Sequence, residues 1–413
     1  MDGLLFIAHR IPYPPNKGDK IRSFHLLRHL AERYAVHLGA FVDDPADWQY
    51  RDALAPYCAS VKLVGLKTSR AKLASVRGLL TGEPLTLPYY RNAELRRWAD
   101  ALAASGTVSR GLAFSSAMAQ FLPDTLACRV LDMVDVDSDK WTQYASTRRW
   151  PLSWLYAREG RTLAAWEADV AASFDATLLV SDDEARLLMQ RAPGARERIA
   201  SFENGVDADY FSPQRNYPNP YAEGVRSVVF TGAMDYWPNV DAATWFAERI
   251  FPAVRAAMPS AQFTVVGARP TANVLALARQ PGVVVTGGVP DVRPYLAHAG
   301  CAVAPLRIAR GVQNKVLEAM AMARHVVATP QAAEGLRAVA GRDFRLARGE
   351  ADLAAAALAC LERPEACAAA RACILEHYDW ATNLSAIDRW FESGGVVDTP
   401  SPDARLRLEA RPA

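Results

Sequence analysis

The sequence of 413 residues predicts an α/β protein made of two Rossmann-like domains that face each other across a cleft. Short apolar runs of strand length alternate with segments of helical period along most of the chain. Nearly every run ends in a glycine or an acidic turn, and open parallel sheets bind their ligands at that carboxyl edge. Near Asn204 the alternation stops, and residues 209–225 carry three prolines without any periodicity. We therefore place a domain boundary there, with domains at 1–205 and 206–377.

The first domain is predicted from a strand at 4–8, a loop with three prolines and a glycine, and a helix of period 3.6 that Asp19 would cap. Ser181 is expected to cap a later helix. The remaining elements that we expect here are strands at 36–41, 111–115, 129–134 and 176–180, and helical segments at 67–97 and 141–189.

The second domain repeats the alternation. We expect strands at 227–231, 262–266, 283–286, 301–305 and 325–328, and helices at 239–257, 272–279 and 314–323. An alanine-rich segment at 352–372 is typical of a surface helix interrupted at Pro364. A last amphipathic helix follows at 378–391, and residues 392–413 have the composition of a loose tail.

Bulk composition excludes several classes of protein. A net charge of +2 without a basic block argues against nucleic acid as a partner. Six scattered cysteines without a CxxC pair are typical of reduced thiols in a cytoplasmic protein. No run approaches about 18 uncharged apolar residues, and the first apolar run is too short for a signal peptide. We expect a cytoplasmic protein whose membrane contact, if any, is peripheral on the inner membrane.

The strongest candidate site is the glycine turn at Gly311 followed by a helix from Asn314. A helix that starts after a glycine loop presents unpaired N–H groups and a positive dipole end, which suit a phosphate. Lys315 and Glu318 share one face of the first turn. A cation beside a phosphate and a carboxylate one turn deeper fit a nucleotide sugar. The alternative is an ordinary helix start with a surface ion pair, in which Asn314 is only a cap.

The first domain offers two further groups of candidates. Gly18 would let the backbone approach a donor phosphate, with Lys17, Lys20 and Arg22 adding positive field, although an ordinary exposed loop is the alternative. His9 ends the first strand and is a candidate on the acceptor side, where a structural role is equally open.

An acidic turn follows the strand at 129–134. Asp135 is our preferred group for orienting or deprotonating an acceptor hydroxyl, together with Asp137 and Lys140. The spacing of the two aspartates also occurs in manganese sites, but those belong to a single mixed sheet, so we predict no metal. Solvated turn carboxylates are the other alternative.

Several motifs in a fixed order resemble a GT-B glycosyltransferase of family 4, and within it the sugar transferases associated with PEP-CTERM exopolysaccharide systems. The resemblance covers about residues 4–390. The segments that carry it are 12–23, 134–141, 204–207 with Phe211 and Pro213, 230–239, 265–267, 287–295 and 311–330.

The resemblance implies a retaining, metal-independent transfer of a hexosyl unit to a lipid-linked saccharide, with a UDP- or GDP-linked sugar as donor and no other cofactor. It also implies that the helix at 378–391 returns to the first domain. The residues that it places at the donor are Gly18, Gly232, Gly288, Val289, Gly311, Val312, Asn314, Lys315 and Glu318.

The sequence departs from the family in three places, and the first is the acidic turn at 132–139, which stands where the N-domain usually has a catalytic-region histidine. The family has two glutamates seven residues apart; Glu318 matches the second, but Arg310 stands where the first belongs. The family also often has an arginine and a lysine after the first strand of the second domain, where this chain has Gly232 and no cation nearby. Lys315, with Arg310 or Arg269, would have to take over their charge.

Two alternatives stay open, and these departures motivate the second of them. One is a nucleotide-sugar epimerase of the same architecture, and the other is a non-catalytic nucleotide-sugar-binding scaffold of a polysaccharide assembly system. A nicotinamide dehydrogenase is disfavoured, because no Gly-x-Gly-x-x-Gly follows the first strand. The basic stretch at 67–97 is either a contact with anionic lipid or a solvated face.

Overall fold

A computed structural model of the chain describes residues 1–15, 18–309 and 311–392. The backbone contacts form two units, one of Met1–Glu203 with residues 383–392, the other of Asn204–Thr382. Each unit is built around its own parallel sheet. Lys17, Arg310 and, apart from Glu392, the tail expected at 392–413 lie outside the described residues.

The first unit has a seven-stranded sheet in the order β3-β2-β1-β4-β5-β6-β7. Its strands are β1 (Gly3–Ala8), β2 (Ala35–Val42), β3 (Ser60–Gly65), β4 (Arg110–Phe114), β5 (Cys128–Val134), β6 (Ala176–Leu179) and β7 (Ile199–Ser201). Its helices are α1 (Gly18–Ala31), α2 (Thr68–Ser75), α3 (Arg77–Thr81), α4 (Thr86–Tyr90), α5 (Ala93–Ala104), α6 (Asp137–Ser146), α7 (Leu152–Ser173) and α8 (Asp182–Arg191).

The central strand β1 lies between β2 and β4, with Leu4 opposite Val36 on one side and Arg110 on the other. Residues 4–8 are fully buried, as expected for a parallel strand covered by helices on both faces. Because the strand order runs outward in both directions from the β1–β4 pair, the switch point of this sheet lies where those two strands end.

The second unit has a six-stranded sheet in the order β10-β9-β8-β11-β12-β13. Its strands are β8 (Arg226–Thr231), β9 (Ala261–Val266), β10 (Val283–Gly287), β11 (Cys301–Ala304), β12 (Val326–Ala328) and β13 (Arg345–Leu346). Its helices are α9 (Trp237–Trp245), α10 (Phe251–Ala257), α11 (Ala272–Ala276), α12 (Arg293–His298), α13 (Asn314–Ala321), α14 (Glu350–Glu362) and α15 (Ala368–His377). The switch point of this sheet lies between β8 and β11.

Glycines at the ends of adjacent strands allow close backbone packing at this edge. A Cβ on Gly267 would lie 1.6 Å from the carbonyl oxygen of Gly232, so no side chain fits there. The N–H groups of Gly232 and Gly267 donate to the carbonyls of Val266 and Gly287 at 3.1 Å each. At Gly232 and Gly267 the edge therefore consists of backbone alone.

The prediction of two Rossmann-like units is confirmed, but several details differ. Asp19 lies inside the first turn of α1 and does not cap it, because its carboxylate bonds His9 and Arg10 instead. The segment predicted as a surface helix forms α14 and α15, whose buried residues belong to the core. The helix predicted at 239–257 is interrupted by a π-helical turn at Phe246–Ile250.

The last helix, α16 (Trp380–Glu392), packs on the first unit as predicted. The ring of His29 lies 2.7 Å from the carboxylate of Asp388. The side chain of Arg110 donates to the carbonyl of Phe391 at 3.1 Å. Within residues 1–392 as described, no helix combines the length and the apolar character needed to span a membrane.

Candidate functional site

Lys315 lies at the switch point of the second sheet. It is on α13, which follows β11, while Asn239 is on α9, which follows β8. The ammonium of Lys315 donates to the side-chain oxygen of Asn239 and lies 4.8 Å from the centre of the Phe230 ring. These contacts, made by residues far apart in sequence, hold the Lys315 ammonium at the glycine edge of the sheet.

Gly232 packs closely against that ammonium and its partner Asn239. A Cβ at this position would lie 2.7 Å from the amide nitrogen of Asn239 and 3.4 Å from the nitrogen of Lys315. Any side chain would push Asn239 aside and occupy the volume next to the cation. The lack of a side chain at Gly232 therefore allows Asn239 to stay in place as the partner of Lys315.

The N-terminus of α13 has no side-chain cap. Gln313 is the residue before the helix, and its amide donates to the carbonyl of Gly311 at 2.9 Å. Gly311 has a φ of +62°, a left-handed conformation that favours glycine. The alternative that Asn314 is only a cap is wrong, since Asn314 is the first residue of the helix. The N–H groups of the first turn and the positive end of the helix dipole lie at the same end of α13 as Lys315.

Lys315 and Glu318 are both partly buried and form no ion pair, so the alternative of a surface ion pair is wrong. Burial raises the pKa of Glu318 to about 7, and Lys315 counteracts part of that rise. Burial likewise lowers the pKa of Lys315 to about 8, against the attraction of Glu318. No hydrogen bond reaches the Glu318 carboxylate from the side chains that the structure describes. Two titratable groups poised near neutral pH, with unused hydrogen-bonding capacity, are typical of a ligand site.

An aromatic and basic group lies near Glu318. Burial raises the pKa of Tyr210, and Asp291 and Glu318 add to the rise, so that these charges are close to the phenol. The guanidinium of Arg293 stacks 3.7 Å from the centre of the Tyr210 ring and pairs with Asp291 at 2.7 Å. The sequence analysis missed Tyr210, Arg293 and Asn239 as site residues. Asn239 and Arg293 lie in the segments 230–239 and 287–295 that carry the family resemblance, and this could have signalled them.

The other residues predicted at the donor are placed less centrally. Gly288 follows β10, and its Cβ position is 3.6 Å from Ala268. Val289 and Val312 pack against the core from a partly buried position. Arg269 is exposed, and its guanidinium forms an ion pair with Asp235 at 2.5 Å. Since Asp235 offsets that charge, Lys315 is the better placed cation.

Two of the cations predicted around Gly18 are not available to a ligand. Lys20 is buried in an ion pair with Asp47 at 2.6 Å. Arg22 is buried in an ion pair with Asp132 at 2.7 Å and also donates to the carbonyl of Phe202. The prediction that Lys20 and Arg22 add positive potential near a donor phosphate is therefore wrong. Gly18 itself is exposed at the start of α1.

His9 lies at the switch point of the first sheet, stacked on Phe114 at the end of β4 with 5.6 Å between ring centres. Its Nε2 is 3.2 Å from the carboxylate of Asp19, which also pairs with Arg10. Burial opposes ionisation of Asp19, but His9 and Arg10 together hold its pKa well below the usual range. The Nδ1 of His9 is buried and has no partner among the described residues.

The acidic turn after β5 separates into two kinds of carboxylate. Asp132 is fully buried against Arg22, and burial raises its pKa in spite of that cation. Asp135 and Asp137 are accessible and hold Lys140 between them, at 2.7 and 3.1 Å. Burial acts to lower the pKa of Lys140, but the two aspartates raise it above its ordinary value. Across the part of the chain that the structure describes, no three His, Cys, Asp or Glu side chains form a group suited to a metal ion.

Comparison with known proteins gives the class of fold. Residues 225–363, all in the second unit, match the family described as Glycosyl transferases group 1. No curated protein matches the sequence. The chain is similar to the structure of HepE from Anabaena in complex with UDP, with a TM-score of 0.63 and 15% identity, over 95% of this chain and 100% of that one.

Two further solved structures have the same architecture. Sucrose-phosphate synthase from Thermosynechococcus elongatus is 16% identical, with a TM-score of 0.66, over 95% of this chain and 99% of its own. WaaG, a glycosyltransferase involved in lipopolysaccharide biosynthesis, is 15% identical, with a TM-score of 0.58, over 99% and 100%. The fold is therefore GT-B, as the sequence predicts.

Proposed function

We propose that the protein is a glycosyltransferase that moves a hexosyl unit from a nucleotide diphosphate sugar to a hydroxyl of an acceptor glycan. The observation that carries the proposal is Lys315, a partly buried cation whose hydrogen-bond partner is the neutral amide of Asn239. Its charge is not offset by an ion pair, and it lies at a helix start without a side-chain cap, next to Gly232. A cation and preorganised backbone N–H groups together stabilise the charge that develops on a leaving diphosphate.

The donor is assigned residue by residue. The Lys315 ammonium and the first N–H groups of α13 bind the diphosphate. The Glu318 carboxylate, one helical turn deeper, accepts hydrogen bonds from the ribose hydroxyls. The base binds near Gly288 and Val289, mainly through backbone atoms. The UDP complexes of HepE and its UDP-glucose complex favour a uridine donor.

The acceptor is assigned to polar groups of the first unit. Asp135 orients the acceptor hydroxyl, and Lys140 holds Asp135 in place. His9, with its unpartnered nitrogen, is the second candidate for hydrogen bonding to the acceptor. Retention of anomeric configuration, metal independence, a lipid-linked acceptor and a role in exopolysaccharide synthesis at the inner membrane follow from the family resemblance.

A second candidate is a non-catalytic nucleotide-sugar-binding scaffold. It is favoured by the absence of any basic residue at 232–237, where the family often has an arginine and a lysine. Donor binding without turnover or hydrolysis, even with lipid-linked saccharide extracts, would select it over the transferase.

The first test is a thermal-shift panel of UDP, GDP, ADP and their sugars, with and without EDTA. A ligand that binds only the native protein adds RT ln(1 + [L]/Kd) to its stability. We expect UDP or GDP to shift the wild type in EDTA, Glu318→Ala to lose the shift, and the exposed control Glu223→Ala to keep it. If no nucleotide shifts the wild type, or if the shift requires a metal, the assignment of Lys315 and Glu318 to a diphosphate donor is wrong.

A further inference from the structure

Two segments of the first unit expose large apolar side chains to solvent. In α2 and α3, Leu73 and Leu80 are 76% and 89% exposed. In the turn before α7 and in its first turn, Trp150 and Trp154 are 81% and 53% exposed. The other exposed members of the two segments are Val76, Leu79, Tyr144 and Leu152. A single exposed leucine is ordinary, but a cluster of this kind marks an interaction surface.

The two segments are neighbours in the fold. The guanidinium of Arg158 in α7 donates to the carbonyl of Gly78 in α3 at 2.5 Å. The carboxylate of Glu159 accepts the backbone N–H of Leu85, which follows α3, at 2.7 Å. Trp154 is one helical turn before Arg158, on the same face of α7. The exposed start of α7 therefore lies beside α3, and we call the two segments, residues 66–82 and 143–157, the apolar-basic surface.

The charge of this surface has one sign. Neither segment contains an aspartate or a glutamate. The exposed basic residues of the surface are Lys67, Arg70, Lys72, Arg77, Arg148 and Arg149. None of the six forms an ion pair with any residue that the structure describes, whereas exposed arginines elsewhere, such as Arg96 and Arg186, pair with aspartates. The surface thus presents cations without an ion pair around protruding apolar side chains; Arg77 is close enough to Glu83 to lower its pKa, but Glu83 pairs with Arg91.

We propose that the apolar-basic surface binds the anionic face of a lipid bilayer. Tryptophan and tyrosine partition to the boundary between headgroups and acyl chains, where the ring is buried and its polar atom stays hydrated. Lysines and arginines gain energy from anionic headgroups at the same depth. Stable attachment of a peripheral protein needs two such signals together, and this surface supplies both. The inference goes beyond the transfer reaction and does not require it, because binding to lipid alone is measured.

A bilayer fits this surface better than a protein partner does. A protein would need a single face, both acidic and apolar, that matches the six cations and the short helices α2 and α3. A bilayer with anionic lipid offers both properties over any area. The apolar side chains lie on the short helices α2 and α3, at the end of α6, at the start of α7 and in the turn between those two, which suits shallow insertion into a lipid boundary.

The test is vesicle flotation of the full chain without nucleotide, at low and high salt. Vesicles of phosphatidylcholine alone are compared with vesicles containing about 30% phosphatidylglycerol. We expect the wild type to float with the anionic vesicles only, and less at high salt. The variant Trp150→Ser/Trp154→Ser should bind at least about tenfold more weakly. Arg148→Gln/Arg149→Gln should lose about fivefold for each arginine removed.

The matched control is Trp237→Ser, which removes an exposed tryptophan of the second unit and should float like the wild type. Unchanged thermal midpoints show that the variants are folded, as expected for exposed positions. The proposal is overturned if the wild type does not bind anionic vesicles, or if all variants bind alike. It is also overturned if the tryptophan variant changes only a monomer–dimer equilibrium in sedimentation, since the surface would then join two copies of the chain.

Discussion

Replacing Glu318 by glutamine should stabilise the protein while it weakens nucleotide binding. An ionised carboxylate that is partly buried without a hydrogen bond costs free energy in the folded state. The rise of its pKa from 4.5 to about 7 corresponds to about 3 kcal/mol at neutral pH. The side chain keeps some contact with water, and the variant leaves Lys315 without its neighbouring charge. We therefore expect a gain of about 1–2 kcal/mol in the free energy of unfolding.

The two pKa values of Glu318, unfolded and folded, determine the pH range in which Glu318→Gln is more stable than the wild type. In the unfolded chain the carboxyl ionises near pH 4.5, and in the folded protein it ionises only near 7. The folded wild type therefore loses stability as the pH rises through that window, and the loss is complete above it. The advantage of Glu318→Gln should be present at about pH 7.5 and absent at about pH 4.

Urea unfolding at the two pH values measures the stability, and calorimetric titration with UDP measures the binding. We expect UDP affinity to fall at least about tenfold, since charge-assisted hydrogen bonds are about twice as strong as neutral ones. The control Glu223→Gln, an exposed glutamate of the same unit, should change neither quantity. A variant that is less stable than the wild type at both pH values would refute the reasoning, because Glu318 would then be a structural partner.

Three further results are expected. UDP affinity should be highest between about pH 7 and 8. Below this range the Glu318 carboxylate protonates, and above it the Lys315 ammonium, which binds the diphosphate, deprotonates. A calorimetric affinity that does not change with pH would contradict this. Gly232→Ala should weaken UDP binding about tenfold, since its Cβ would displace Asn239 from Lys315. Unchanged affinity would mean that UDP binding does not depend on the Asn239–Lys315 contact. Arg22→Met should lower the free energy of unfolding by about 3–5 kcal/mol, because it leaves the buried carboxylate of Asp132 unpaired, while the UDP affinity of the remaining folded protein stays as in the wild type.

The order of the elements was predictable from local patterns. Apolar runs of strand length, glycines at their ends and helical periods between them depend only on neighbours in the chain, and β1, β8 and α13 were located within a few residues. The strands that the sequence analysis missed, β3, β7 and β13, have different local signals. β3 contains a lysine, and β7 and β13 have three and two residues, so none carries a long apolar run.

The candidate site was predictable to the extent that it is contiguous. Gly311, Lys315 and Glu318 lie on one turn and its helix, and their spacing already suggested a phosphate and a sugar. Asn239 was not recognisable as a partner of Lys315, because 76 residues separate the two. The free hydrogen-bonding capacity of Glu318 was equally hidden, since a sequence shows a charge but not its partner.

The charged residues of the first unit show most clearly that a sequence does not reveal the partner of a charge. Lys20 and Arg22 have the same local pattern whether they face a ligand or the core. Folding brings Arg22 to Asp132, 110 residues away, and buries both, while the arginines beside Trp150 stay exposed without an acidic neighbour. The hydrophobic periodicity of an element and the residues of a turn are local features, so the sequence shows them directly. The availability of a charge depends on burial and on distant partners, and it is set only when the sheets and helices assemble.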